Sequence, residues 1–367
     1  MTNNYRIVND IIGRYATFLL SGFTLQLKYK NSVEEAKVLV STIKGYLRVV
    51  NEHYRDNQCR EPWNPKDDSK ASILLREQEK FEGEPAKRSP LHPNVLQKMC
   101  DLAKASDPLG FRACVWDFTG LGTNGGFRKQ EFAMDSKTQI KVYVMPDGSH
   151  VVRAFTNSNF IFYDAQDVRI KYPLQQRSDS KALGTLFEVQ KNRMNGQIIK
   201  HDRLNDEFQD YCPVRLGHSI ILRAQLLGRT KDDDPLCVYK DEDGKTVFLS
   251  GDDITDYYRF ITRLVMPNIS DEELNLISTH SIRVTAAVLL HEAGKDGTYI
   301  KLRLRWLSNC FEIYLRNTKT ITAQHATALE DVHRRMIQVA AAAIGQNDIV
   351  HVNGNVNMIM DELEDED

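Results

Sequence analysis

The sequence predicts a mainly helical α+β chain: a helical part over 1–109, a mixed part over 110–346 in which short strands give way to helices, and an acidic tail over 347–367. Three observations carry this. The 367 residues exceed one small domain and suit two. Up to about residue 109, apolar positions recur at helical spacing between polar loops. Beyond it come short β-rich runs punctuated by turn residues, and from about 214 the helical period returns.

The first helix follows Ser32 and Glu35, which have the spacing of a capping box, and Ala36, Leu39, Ile43, Leu47 and Val50 mark one face through about Tyr54. The stretch 56–68 is a loop by its Asn, Pro and Asp content. A short helix over 72–81, a Pro- and Lys/Arg-rich loop over 83–93, and a helix over 93–106 opening on proline complete the first part. In the second, 111–118 is apolar and 120–126 is dense in glycine. Strands are predicted at 140–145, 151–155, 160–163 and 168–170, then a hairpin of 186–190 and 197–200 around Asn195-Gly196, a strong turn dipeptide. Helices follow at 214–228, 254–265, 271–277, 281–293 and 299–304, with a further segment at 310–315 and a last long helix at 322–344. No internal repeat is visible.

Composition narrows the function classes. Apolar residues make up 41% and charged residues 27%, and no run approaches eighteen apolar residues, so a membrane-spanning helix is not expected. The first residues lack the pattern of a signal peptide. Six scattered cysteines without a CxxC pair argue against a zinc ribbon or a disulfide framework, and read as buried, reduced thiols of an intracellular protein. The net charge of -2 conceals an asymmetry. Six of the last seven residues are acidic, and setting them aside leaves +4 on residues 1–360. Lys and Arg outnumber Asp and Glu by four up to Val115, and again by four between Thr279 and Lys319.

The second basic stretch holds the residues that suit chemistry. In His280-Ser-Ile-Arg283 the i, i+3 spacing puts an imidazole and a guanidinium on one helix face, where they suit an anionic oxygen cluster such as phosphate. The same pair also fits an ordinary helix start with a surface arginine. Downstream, Lys301-Leu-Arg-Leu-Arg-Trp306 and Tyr314 form a basic run interleaved with aromatics, which equally fits an amphipathic helix with aromatic core residues. His218 and His291 lack metal-ligand partners at i+4, Asp232-Asp-Asp234 is most simply a loop, and the glycine-dense 120–126 lacks the GK[ST] of a nucleotide-binding loop.

Taken together, His-x-x-Arg, the Leu-Arg-Trp element and the following tyrosine over 280–316 resemble the C-terminal signature of the tyrosine recombinases, the phage-integrase family. The stretch looks nearer to the versions carried by mobile elements of unicellular eukaryotes than to bacterial enzymes. That family needs an earlier arginine in a glycine-rich turn, followed three residues later by an acid, and Gly125-Gly-Phe-Arg128-Lys-Gln-Glu131 fits. It also places a lysine on a β-hairpin. Lys191 beside the Asn195-Gly196 turn matches, with Arg193 and Lys200 as alternatives, and the strands over 140–170 then read as an insertion. Two departures stand out: Arg305 occupies a position where the family commonly has glycine, and Trp306 replaces a histidine, as in some members.

The resemblance implies a core-binding domain over 1–109 and a mixed α/β tyrosine-recombinase catalytic domain over 110–346. Tyr314 would attack a phosphodiester, Arg128 and Arg283 would hold its nonbridging oxygens, and Lys191 would protonate the leaving 5′ oxygen. His280 and Trp306 would assist through proton transfer and hydrogen bonding, and Glu131 would orient the cluster. It further implies double-stranded DNA as partner, a homotetramer on paired DNA sites, and no metal, nucleotide or other cofactor. The expected location is intracellular, on DNA, and nuclear if the source is eukaryotic. The last long helix either docks on a neighbouring protomer or packs on its own domain. The acidic tail is either solvated or competes with DNA for the basic surfaces. A type IB topoisomerase-like enzyme and a catalytically silent domesticated DNA-binding protein are the alternatives.

Overall fold

The computed structural model of the protein describes residues 12–14, 40–59, 61–66, 69–81, 87–145, 147–171, 173–190, 195–315 and 318–346. Lys191, Arg193, the Ser32/Glu35 pair and the acidic tail lie outside the described residues. The chain divides into two compact units, Met1–Ala86 and Lys87–Asp367.

In the first unit, α1 (Val40–Asp56) buries Val40, Ile43, Leu47 and Asn51 along one stripe, which is the helical period made physical. With α2 (Lys70–Phe81) it encloses a small core that also contains Trp63, Ala71 and Leu75. Asn51 is the polar member of that stripe. Its amide accepts from the Trp63 backbone N–H at 3.1 Å and donates to the Trp63 carbonyl at 2.5 Å, so the loop backbone is satisfied where it enters the core.

The second unit is built on α4 (Phe111–Gly125), whose residues are buried almost all round. Around it pack α3 (Pro93–Lys104), α6 (Pro213–Leu226) and α9 (Ser281–Glu292). The buried face of α3, Val95, Leu96, Met99, Cys100 and Ala103, is continuous with this larger core, so α3 belongs to the second unit although the sequence groups it with the earlier helices. The glycines of α4 are there for close approach. A Cβ on Gly122 would stand 2.7 Å from Ile282 Cγ2 of α9.

Among the described residues three small antiparallel sheets pack with the helices. Strands β1 (Val142–Val144) and β2 (His150–Val152) form a hairpin. Strands β3 (Phe160–Tyr163), β4 (Ala182–Phe187) and β5 (Gln197–Asp202) lie in that order, with Phe187 opposite Gln197 across the turn and Gly196 at φ +76°. The segment 168–170 makes only a single bridge, Tyr163 with Arg169, rather than the expected strand. A hairpin of β6 (Val238–Lys240) and β7 (Thr246–Phe248), around a turn containing Gly244, was not foreseen, because each strand is only three residues long.

The α5 turn (Lys129–Phe132) follows α4, and α7 (Gly251–Val265) and α8 (Asp271–Asn275) precede α9. After it come α10 (Gly297–Leu304), a 3-10 turn (Asn309–Tyr314) and α11 (Lys319–Gln346). Helices α9 and α10 and the 3-10 turn enclose a second core of Ala286, Ala287, Ile300, Leu304, Phe311 and Leu315, on which Trp306 and Tyr314 pack. Cys59 and Cys310 are exposed, correcting the expectation of six buried thiols. Among the described residues no helix is long and apolar enough to cross a membrane, and none group as a metal site.

Candidate active site

Helix α4 ends at Gly126, which adopts the left-handed conformation at φ +57°, and a Cβ there would lie 2.9 Å from Leu304 Cδ2. Phe127 is then buried against Phe155, Phe132 and Phe187, which fixes the direction in which the chain restarts. Arg128 is the N-cap of α5. Its backbone N–H donates to Glu131 Oε2 at 2.8 Å and its Nη1 donates to Glu131 Oε1 at 3.2 Å. The Gly-Gly turn thereby leaves a partly buried guanidinium beside a buried carboxylate.

The second arginine arrives from α9. His280 caps this helix, and Arg283 lies buried one turn inside, donating to the Gly126 carbonyl at 2.5 Å and to the Arg305 carbonyl at 3.3 Å. Its guanidinium carbon stands 4.3 Å over the Trp306 ring. Arg128 Nη2 also donates to the Arg305 carbonyl, at 3.4 Å. An open cavity of 560 Å³ is lined by Arg128, His280, Arg283 and Trp306, together with Arg305, Lys129 and Arg153. Four of the residues singled out from sequence thus face one space. Tyr314 stands at its side, with its ring centroid 6.3 Å from that of His280.

The electrostatics are lopsided. Among the described residues Glu131 is the one carboxylate within ion-pair distance of Arg128 or Arg305, and none is within that distance of Arg283. Burial works against the charge of Glu131, but Arg305, its hydrogen bonds and Arg128 outweigh this and hold the carboxyl below its ordinary range. Burial and the facing charges of Arg128 and Arg305 press Arg283 down to about 9, still a cation at neutral pH. His280 is lowered by burial, then by Arg283, Arg88 and Arg128, and is therefore neutral at pH 7. Tyr314 is raised by burial, against the opposing pull of Arg88 and Arg283, so its phenol rests protonated. Among the described residues cations dominate the cavity lining, with Asp135, beside Lys129 and Arg153, as its one carboxylate.

Several participants were not anticipated. Arg305 is fully buried and pairs with Glu131 through its two terminal guanidinium nitrogens, Nη1 at 2.8 Å and Nη2 at 3.1 Å. Gln190 Oε1 accepts from Arg305 at 3.2 Å and from Arg128 at 3.4 Å. Arg153 and Lys129 stand at the cavity rim beside Asp135. Lys200 is engaged elsewhere: its ammonium pairs with Asp167 and lies 3.7 Å from the Tyr163 ring centroid. The buried Trp306 Nε1 has no hydrogen-bond partner among the described residues.

No family model and no curated protein matches this sequence. Among solved structures the chain is similar to the XerA recombinase, at 13% identity and a TM-score of 0.35, over 86% of this chain and 98% of that one. It is also similar to the Tn1549 transposon integrase in complex with circular intermediate DNA, at 10% identity and a TM-score of 0.39, over 87% of this chain and 84% of that one. For the same integrase with transposon right end DNA the values are 9% and 0.42, over 87% and 84%.

Proposed function

We propose that this protein cleaves and rejoins DNA through a 3′-phosphotyrosyl intermediate, as a site-specific recombinase or integrase. The observation that carries the reading is the convergence of Arg128, His280, Arg283 and Trp306 on one cavity with Tyr314 at its side, from a chain whose sequence resembles the tyrosine recombinases in these same residues.

Arg128 and Arg283 hold the nonbridging oxygens of a phosphodiester, and the charge that builds on them during attack meets cations already in position. The neutral His280 accepts the phenolic proton as Tyr314 Oη bonds to phosphorus. The bond from phosphorus to the 5′ oxygen breaks, and Lys191 gives that oxygen its proton. The Trp306 indole N–H donates to a phosphate oxygen, which supplies the partner it lacks among the described residues. A 5′ hydroxyl from a second strand reverses the step, so the phosphodiester's free energy stays in the protein–DNA bond and the mechanism calls for neither a nucleotide nor a metal. Double-stranded DNA is the substrate, and strand exchange calls for a homotetramer on paired sites. The exposed row Leu329, Val332 and Met336 of α11 supplies an apolar face for such assembly.

A nicked suicide duplex that loses its 5′ hydroxyl on cleavage tests the reading. The wild-type chain is expected to form a covalent adduct and Tyr314→Phe to form none while still shifting DNA in a gel. An adduct in the Phe variant removes Tyr314 as nucleophile. Relaxation of supercoiled plasmid without exchange between duplexes would favour a type IB topoisomerase-like enzyme, and binding without an adduct a silent DNA-binding protein.

A further inference from the structure

We infer that Arg305 is a positioning residue that holds both phosphate-binding arginines in place and keeps Glu131 from neutralising Arg128. The inference rests on the cleavage reading above and concerns a residue that stands where the resemblance leads one to expect glycine.

The backbone explains that expectation. Arg305 caps α10 in the left-handed region, at φ +58° and ψ +44°, a conformation glycine adopts without strain and arginine does not. With this backbone, both its carbonyl and its side chain face the cluster. The carbonyl accepts from Arg128 Nη2 at 3.4 Å and from Arg283 Nη2 at 3.3 Å, so one oxygen fixes the separation of the two guanidiniums. The residue is 1% exposed, with its guanidinium carbon 3.4 Å from the Phe187 ring centroid. Besides Glu131 and Gln190, it donates to the carbonyls of Gly125 and Gly126, both at 3.3 Å, in the turn that aims Arg128.

The charge arrangement gives the residue a second effect. Glu131 makes its two shorter side-chain ion-pair contacts to Arg305, at 2.8 and 3.1 Å, and a longer one to Arg128, at 3.2 Å. Two cations share one carboxylate, which leaves Arg128 with positive charge to offer a phosphate. Without the Arg305 guanidinium, Glu131 pairs with Arg128 alone and competes with the phosphate for it. A glycine at 305 preserves the backbone and its carbonyl while removing this balance.

The experiment uses the full chain and the suicide duplex, comparing wild type, Arg305→Gly, Arg305→Lys, and Arg305→Gly combined with Glu131→Gln. Arg305→Gly is expected to slow adduct formation about 100-fold at saturating DNA, with little change in the DNA concentration needed for half-saturation. Adding Glu131→Gln should restore about 10-fold of that loss, because the carboxylate that captures Arg128 is gone. A purely structural role predicts the reverse, a double variant no faster than Arg305→Gly. If Arg305→Gly fails to fold, Arg305→Lys carries the test: it keeps the charge but not the two-pronged pairing, and should also be rescued by Glu131→Gln. Adduct formation by Arg305→Gly within twofold of wild type overturns the assignment alone. A wild-type chain that forms no adduct overturns the cleavage reading, and this inference with it.

Discussion

The guanidinium carbon of Arg283 lies 4.3 Å above the Trp306 ring, and the ring's own Nε1 is buried without a partner among the described residues. The two features have opposite energetic signs. The stacked cation gains about 0.5–2 kcal/mol from the ring, whereas a buried donor left unpaired costs about 1–3 kcal/mol. On the cleavage reading proposed above, the acceptor for this donor is a phosphate oxygen of the substrate.

Trp306→Phe separates the two. Phenylalanine keeps an aromatic face for Arg283 and deletes the orphan N–H, so thermal unfolding should stay within a few degrees of wild type. Adduct formation should fall about 100-fold, since one donor to the phosphate is gone. Unchanged cleavage kinetics would show that the indole acts only as a wall.

His218 gives a stability prediction independent of the proposed chemistry. It is buried in α6, its ring stacked on Phe162 at 4.2 Å, and neither ring nitrogen has a partner among the described residues. Burial, followed by the charges of Arg177 and Arg203, lowers its pKa from 6.5 to about 4. As pH falls from 6.5 toward 4, the unfolded chain therefore takes up a proton that the fold refuses. Stability is full above 6.5 and drops by about 3 kcal/mol at pH 4 through this residue. His201, held at about 3 by burial and then by Arg303 and Arg305, adds to the same acid-side loss. His218→Phe should flatten its share, with denaturation midpoints near wild type at pH 8 and above it at pH 5. A variant that follows the wild-type pH profile would remove His218 from the acid response.

What was legible in the sequence depended on how far apart the cooperating residues lie. His280 and Arg283 share one helical turn, and Trp306 and Tyr314 follow within the same run, so local spacing sufficed to group them. Arg128 was readable through its glycine-rich turn and the acid three residues on. Arg305 was legible only as a departure from an expected glycine: its pairing with Glu131 spans 174 positions, and the left-handed cap it occupies shows in the folded backbone. Gln190 contacts Arg128 across 62 positions and carries no local signature. The hairpin of β6 and β7 escaped because three-residue strands are too short for an alternating pattern to rise above a loop.

The glycine-dense end of α4 was read against a phosphate-cradling loop, and the structure gives it a packing role that can be tested. Gly122 lies where α4 meets Ile282, the residue just before Arg283 in α9, and an added Cβ would stand 2.7 Å from Ile282 Cγ2. Alanine at a helical glycine ordinarily gains about 1 kcal/mol. Here overpacking costs about 1–3 kcal/mol, so the net effect of Gly122→Ala should be destabilising. Its larger effect should fall on chemistry, because displacing α9 moves His280 and Arg283 relative to Arg128. Ile282→Ala removes the clashing atoms, at its own cost of about 2–5 kcal/mol for a buried isoleucine. In the double variant the two changes should compensate, with a coupling of about 0.5–3 kcal/mol in denaturant melts and partial recovery of adduct formation. Strict additivity of the two substitutions, in stability and in rate, would mean that the contact between α4 and α9 at Gly122 does not set the position of the arginines.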